Sequence, residues 1–292
     1  MKSLGTNGRF GNQLFQYAFL RFYARHCGAA VETPSWVGQN IFGHADPKIS
    51  RDLPTLSIIC KEHLSALYEV SPPVNVDLHG YFQETGYYSD DKNFFRSLFV
   101  PRFASELLSD WLPYAGRPVI GVHLRYGDYG SGIFYETPLK WVLERLEREW
   151  NTLNNPLLYI ASDDPRAVNA FTRYQPVTWR DIFSVTPSVA ASTIPEYYYD
   201  FFSLSMVNHM LIVSNSSFSF AAAMINKNCT TFLRPGLKAQ KLVLFEPWNS
   251  SVLLRESSPW LTFLAGHPHI RRIYNFVHRA ILFRSLQWEA MQ

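Results

Sequence analysis

Residues 119–129 read VIGVHLRYGDY. Val119, Ile120, Gly121 and Val122 follow the breaker pair Arg117-Pro118 and suit a short buried strand. That strand runs straight into polar groups and a turn. His123 and Arg125 alternate with Leu124, so in extended chain both face one side, while Gly127-Asp128 is a turn dipeptide. Open α/β sheets present ligand contacts in this way, outside the carboxyl ends of their strands. An arginine there suits a phosphate, being planar, permanently charged and able to donate two parallel hydrogen bonds. The plain structural alternative is that Arg125 pairs with Asp128 in the turn and His123 is a satisfied core histidine.

Downstream, strand and helix alternate: strand 119–125, helix 138–150, strand 157–161, then the turn Ser162-Asp163-Asp164-Pro165 and a helix through Phe171. This alternation predicts an α/β fold, a parallel sheet with crossover helices. Asp164-Pro165 has the chemistry of a helix start, a carboxylate N-cap with proline at the first helical position. Capping leaves Asp163 unexplained. Paired carboxylates can hold Mg2+ between phosphates, but such sites usually show Asp-x-Asp, and no further ligands accompany this pair. Residues 200–226 read DFFSLSMVNHMLIVSNSSFSFAAAMIN and predict a helix, a strand over 210–213 and a second helix from Phe218 to Ile225 capped by Ser214-Asn215-Ser216-Ser217. A helix N-terminus lined with hydroxyls suits an anion, although simple capping accounts for the same residues.

Upstream, Gly8-Arg9-Phe10-Gly11-Asn12-Gln13 is a glycine turn leading into the helical pattern LFQYAFLRFYARHC, which Gly28 closes. Its glycines either approach a ligand closely or serve plain turn chemistry. Residues 31–79 read as loops with short strands and one helix near Ser57 to Leu67. Asp77 to Glu84 reads as an aromatic strand, and Lys92–Leu98 and Phe103–Leu112 read as helices. Residues 113–118 hold two prolines and a glycine, a linker that divides the chain into residues 1–115 and 116–292.

Composition bounds the class. The 292 residues are 47% apolar and 16% aromatic, enough for a large core. A net charge of +3 and a pI near 8.7 suit an anionic small molecule or a membrane surface, and without blocks of like charge they argue against nucleic acid. Cys27, Cys60 and Cys229 form neither a CxxC pair nor a disulfide framework and are expected to be buried thiols in a reducing compartment. No signal-type apolar region and no uncharged apolar run of transmembrane length is present, so a soluble cytoplasmic protein is expected. Near the C-terminus, Ile270, Ile273, Val277 and Ile281 share one helical face, with Arg271, Arg272, Arg279 and Arg284 elsewhere. Such a basic amphipathic helix either packs on its own protein or lies on an anionic membrane.

His123-Leu124-Arg125-Tyr126-Gly127-Asp128-Tyr129 resembles the His-x-Arg-Arg-Gly-Asp-Tyr motif of the α-1,2-fucosyltransferases, glycosyltransferase family 11 of bacterial type, with Tyr126 where a second arginine is usual. The segments GRFGNQ (8–13), GYFQ (80–83), SDD (162–164) and the stretch from Asp200 to Ser219 resemble family segments in the same order, with Phe220-Ala221 in place of Trp-Trp. The resemblance spans roughly residues 7–233. It implies a GT-B-type glycosyltransferase of two Rossmann-like domains facing across a cleft, with 1–115 on the acceptor side and 116–292 binding GDP-fucose.

The implied reaction is inverting transfer of L-fucose from GDP-β-L-fucose to the 2-hydroxyl of a terminal galactoside, in bacterial surface glycan synthesis. By the resemblance, Arg125 binds the phosphates and stabilises the departing GDP, Ser216 or Ser217 holds phosphate and Asp200 reads the guanine. Gly11, Asn12, His123 and Asp163 are the further donor-site residues it implies. The expected base is Asp128, with Glu84 next, unless the transition state is so dissociative that no strong base is needed. No metal and no other cofactor is expected. The partners are GDP-fucose and a galactose-terminated acceptor, with peripheral membrane contact through the C-terminal helix, at the inner face, as an open alternative. Tyr126, Glu84 and a first strand reduced to MKSLGT leave two other readings open: a non-catalytic nucleotide-sugar-binding homologue, or a different donor or linkage.

Overall fold

The structure is a computed structural model; it describes residues 1–58, 73–183 and 194–290, with side chains through residue 280. The chain divides into two compact units. One gathers Met1–Ala104, Pro187–Ile194 and Trp248–Val252; the other gathers Ser105–Thr186, Pro195–Pro247 and Leu253–Gln292.

The first unit is built on α1 (Phe10–Cys27), whose apolar side buries Leu14, Phe15, Ala18 and Phe19. Gly28 ends it in the left-handed region at φ 63°, where glycine carries no Cβ penalty, and returns its N–H to Ala24 O. Aromatic rings fill the space against it: Phe82 stacks on Phe19 at 4.1 Å between centroids, and Tyr88 and Phe95 pack on Phe15. Around this lie α2 (Val37–Phe42), the short parallel pair β1 (Thr55–Ser57) and β2 (Asp77–His79), a 3-10 helix over Thr85–Asp91 and α3 (Lys92–Ser97), which Asp91 caps by accepting from Phe94 N–H.

Several expectations change here. Helix α1 starts at Phe10, so Gly11 and Asn12 sit in its first turn and not in the preceding loop. The strand expected over 77–84 stops at His79, because Phe82 turns into the left-handed region at φ 53°. Residues 2–5 form turns in place of a strand, held where Lys2 N–H donates to Asp77 Oδ1 at 2.7 Å. The helix expected near Ser57 to Leu67 falls mostly on residues outside those described, and Ser57 itself closes β1. Cys27 and Cys229 are half-buried free thiols, and Cys60 lies outside the described residues.

The second unit is the α/β body that the alternation predicted. It runs α4 (Ala104–Trp111), β3 (Val119–Leu124), α5 (Leu139–Trp150), β4 (Leu157–Ser162), a 3-10 helix over Pro165–Tyr174 and α6 (Trp179–Ile182). It continues with α7 (Tyr197–Met206), β5 (Met210–Ile212), α8 (Ser217–Ile225), β6 (Thr231–Gly236), β7 (Lys241–Leu244), α9 (Pro259–Gly266) and α10 (Pro268–Ala290). The sheet order is β4-β3-β5-β6-β7, parallel except for the final β7.

β3 is buried along its whole length, as a central parallel strand must be. Ile120, Val122 and Leu124 join a core with Val142 and Leu146 of α5 and Phe171. On the opposite face Gly121 lies under Val207 and Leu204. Asn208 fastens the chain entering β3, accepting from Val119 N–H at 2.8 Å and donating to Arg117 O at 2.9 Å. The segment that reads as a linker is therefore pinned at its C-terminal end.

Connections from β3 lead to β4 on one side, whereas β5 leads to β6 on the other. The strand order thus reverses between β3 and β5, and in open α/β sheets ligands bind outside the carboxyl ends of the strands at such a switch point. Arg125 and Ser214–Ser217 follow those two strand ends.

A Cβ at Gly121 would lie 2.5 Å from Val207 Cγ2 and 3.2 Å from Leu211 Cδ1. Gly121→Ala is expected to destabilise the fold by about 1–3 kcal/mol through overpacking, read as a lowered urea midpoint with unchanged slope.

Candidate functional site

The second unit brings together three of the residues that the sequence singled out. Arg125 donates from Nε to Asp128 Oδ1 at 2.9 Å, pairs through Nη2 with the same carboxylate at 2.7 Å, and through Nη1 with Asp163 Oδ2 at 3.0 Å. Asp163 in turn accepts from Tyr126 N–H at 2.7 Å and Gly127 N–H at 3.0 Å. The carboxylate that capping could not explain is thus the clamp between the ends of β3 and β4. Gly127 is required for it, since a Cβ there would lie 2.6 Å from Asp163 Oδ2. Asp164 turns away to cap the following 3-10 helix and to pair with Arg166 at 2.7 Å. Among the described residues no three His, Cys, Asp or Glu side chains converge on a metal position.

Strand alternation sends residue 126 to the core face. Tyr126 is buried in the cluster under α5, with its hydroxyl donating to Thr137 O at 3.2 Å. The residue that stands where the resemblance has an arginine therefore lies on the opposite side of the backbone from Arg125. His123 does not share Arg125's surroundings either. It is buried with Nδ1 2.8 Å from both Ser214 Oγ and Ser219 Oγ, and burial pushes its pKa down to about 4, so it is a neutral tie between β3 and α8.

The loop after β5 meets the loop after β3 through Tyr129, which sequence reasoning missed. Its ring lies 5.8 Å from the Arg125 guanidinium carbon and its hydroxyl donates to Asn215 O at 2.9 Å. Desolvation pushes the phenol up to about 12, which keeps it a donor. Ser216 caps α8 by accepting from Phe218 N–H, and Ser217 opens the helix. Asn215 turns its side chain the other way, donating to Ile133 O and Leu254 O and accepting from Leu254 N–H.

Asp200 stands apart, at the start of α7, where Tyr159 of β4 donates to its Oδ1 at 2.6 Å. Its desolvated carboxyl has a pKa pushed up to about 7. Gly11 and Asn12 belong to the first unit. There Asn12 Oδ1 accepts from Gln83 Nε2 at 2.7 Å, and its amide packs against Gly8, where a Cβ would collide with it at 2.2 Å. Gln13 and Gln16 hold the preceding loop by donating to Gly5 O, Gly8 O and Asn7 O. Glu84, exposed, accepts from Ser251 Oγ at 3.4 Å in the same unit.

The loop carrying Arg125 and Tyr129 is held from outside by α10. Arg271 donates to Ser131 Oγ at 3.0 Å, Asn275 to Tyr129 O at 2.9 Å, and Arg279 to the carbonyl of Tyr126 and the carboxylate of Glu136. These residues recur every four positions, one face of a helix. Gly130, at φ +111°, lets Asn275 approach, since a Cβ there would lie 2.5 Å from its amide. The polar spacing 271, 275, 279 was the available sequence signal, overshadowed by the apolar stripe on the other face. Burial outweighs the pull of Arg279 on Glu136 and pushes its pKa up to about 7.

No protein-family model matches the chain, and no curated protein matches it in sequence. Among solved structures the fold matches NodZ α-1,6-fucosyltransferase soaked with GDP-fucose, with TM-score 0.52 at 14% identity over 81% of this chain and 95% of that one. The same enzyme co-crystallized with GDP gives 0.54 at 13% identity over 81% and 94%. Fucosyltransferase NodZ from Bradyrhizobium gives 0.51 at 13% identity over 82% and 95%. The chain shares its fold with these NodZ structures.

Arg279→Ala would leave Glu136 in a largely covered site without its cation. The expected cost is on the order of 3 kcal/mol in chemical denaturation, with part of it recovered in the Arg279→Ala/Glu136→Gln double variant.

Proposed function

We propose that the protein transfers L-fucose from GDP-β-L-fucose to the 2-hydroxyl of a terminal galactoside, by single displacement and without a metal. The observation that carries this reading is the position of Arg125, past the end of β3 at the sheet's switch point and beside the Ser214–Ser217 turn. The shared fold supports a nucleotide-sugar donor, because the NodZ structures contain GDP-fucose or GDP. NodZ forms an α-1,6 linkage, so the α-1,2 linkage rests on the sequence motifs.

In this reading the GT-B-type division of labour places the nucleotide on the second unit and the acceptor on the first. Arg125 stabilises charge building on the β-phosphate as the glycosidic bond breaks, an interaction stronger in the transition state than in the ground state. The guanidinium is engaged by two carboxylates, and they differ. Asp163 is tied to two backbone N–H groups, whereas Asp128 has a side chain 48% exposed. A diphosphate displaces Asp128 and leaves Asp163 as the anchor. The released carboxylate then serves as base for the acceptor hydroxyl. Ser216 or Ser217 adds a donor to the phosphate at the start of α8. Asp200 accepts from the guanine edge, and His123 acts indirectly, by holding Ser214 and Ser219.

The test is GDP release from GDP-fucose with and without a panel of β-galactosides, in EDTA, followed by linkage analysis of the product. Acceptor-stimulated release is expected, and GDP binding without any release would instead identify a non-catalytic binder. Arg125→Ala should lower kcat/KM by roughly 100-fold or more, and wild-type turnover in that variant would overturn the mechanism. Asp128→Asn should keep GDP affinity and lose turnover.

The guanine role has its own signature. Only the ionised Asp200 is acceptor-only on both oxygens, as two guanine N–H donors require, and with a pKa of about 7 it is mostly protonated at pH 6 and mostly ionised at pH 8. GDP affinity should therefore rise about tenfold between those pH values, and Asp200→Asn should flatten that profile.

A further inference from the structure

Helix α10 turns its polar side inward and apolar residues out, and α9, which buries Leu264, leaves two aromatic rings exposed next to it in the chain. Arg271, Asn275 and Arg279 hold the loop after β3, while Ile270, Ile273, Phe276 and Val277 are 43%, 67%, 72% and 47% exposed. On α9, Trp260 and Phe263 are 47% and 40% exposed and stack at 5.4 Å between ring centroids. This reverses the packing expected of an amphipathic helix on its own protein, where the apolar stripe would be covered. An exposed apolar helix face of this kind marks an interaction site.

The charge around the patch selects its occupant. From Ser257 to Trp288 the chain carries four arginines and three histidines and neither aspartate nor glutamate. Arg272 and His269 are exposed beside the apolar residues. Helix α10 has 23 residues, roughly 34 Å at 1.5 Å per residue. No helix among the described residues is long and apolar enough to cross a membrane. A long helix with an apolar side, aromatic residues, four arginines and a single acidic residue, Glu289 near its end, is built to lie in the plane of an anionic lipid surface.

We propose that the outward face of α9 and α10 docks on an anionic bilayer, with Ile273 and Phe276 inserted at the headgroup boundary and Arg272 against lipid phosphates. Because the inward face of the same helix holds the Arg125 loop, docking sets that loop at a fixed distance from the lipid surface. The proposal rests on the placement and charge of this helix pair and not on the sugar chemistry.

The experiment is sedimentation of the full chain with vesicles of phosphatidylcholine alone or mixed equally with phosphatidylglycerol. The wild type is expected to partition onto the anionic vesicles, to be released by high salt and to leave neutral vesicles largely unbound. Ile273→Asp/Phe276→Asp should lower partition roughly tenfold or more, with the melting temperature showing that the variant is folded. Equal sedimentation of wild type and variant, absence of binding to anionic vesicles, or equal binding to neutral ones would overturn the proposal. So would a wild type that is dimeric in solution and a variant that is monomeric, since the face would then belong to a second copy of the chain. GDP binding by the vesicle-free variant is the control: it should be unchanged, and it separates failure of docking from failure of the nucleotide site.

Discussion

The carboxylate of Asp163 accepts from the N–H groups of Tyr126 and Gly127 while pairing with the Arg125 guanidinium, so the ends of β3 and β4 behave as one body. Everything that the candidate site can do depends on that clamp. It fixes the backbone turn that brings Asp128 back onto Arg125, and it orients the guanidinium before any ligand arrives. A charged acceptor satisfying two backbone donors and a cation at once makes strong hydrogen bonds in a partly covered site, where they are costly to break. The two carboxylates on Arg125 thereby take different characters, one tied into the backbone and one on an exposed turn.

The loop between Arg125 and Glu136 is supported from two sides. From below, Tyr126 sinks into the core under α5 and Tyr129 reaches Asn215 on the loop after β5. From outside, α10 spends its polar face on the carbonyls of Tyr126 and Tyr129 and on the Glu136 carboxylate. Two carbonyls of the loop, those of Tyr126 and Tyr129, are satisfied by side chains from more than a hundred residues away in sequence. The consequence is an apolar stripe left facing solvent.

The alternation of strand and helix from residue 119 onward was legible because hydrophobic period and breaker residues are local properties. So were the Asp164 cap, the Gly28 helix stop and the Ser216 cap, each set by one residue's own backbone chemistry. The three-residue strands of the first unit and the left-handed turn at Phe82 were not legible. There aromatic packing on α1 decides the backbone, and packing partners lie far apart in the chain. The start of α1 was misplaced past Gly11 and Asn12 for a related reason: glycine and asparagine read as turn residues, yet the first helical turn accepts both where a loop is folded back over it.

By itself the sequence determined a parallel α/β body, an arginine placed after its first strand, and a set of motifs resembling those of α-1,2-fucosyltransferases. The first two follow from periodicity and breaker residues along the chain, and the third is a resemblance of residues in order. Tertiary structure alone decided that Asp163 clamps Arg125, that His123 is a buried neutral tie, that Tyr126 points to the core and that α10 shows its apolar side outward. Each of these depends on which element lies beside which. A residue type states what a side chain can bond, and only the packing of β3, β4, β5 and α10 states what is within 3 Å of it.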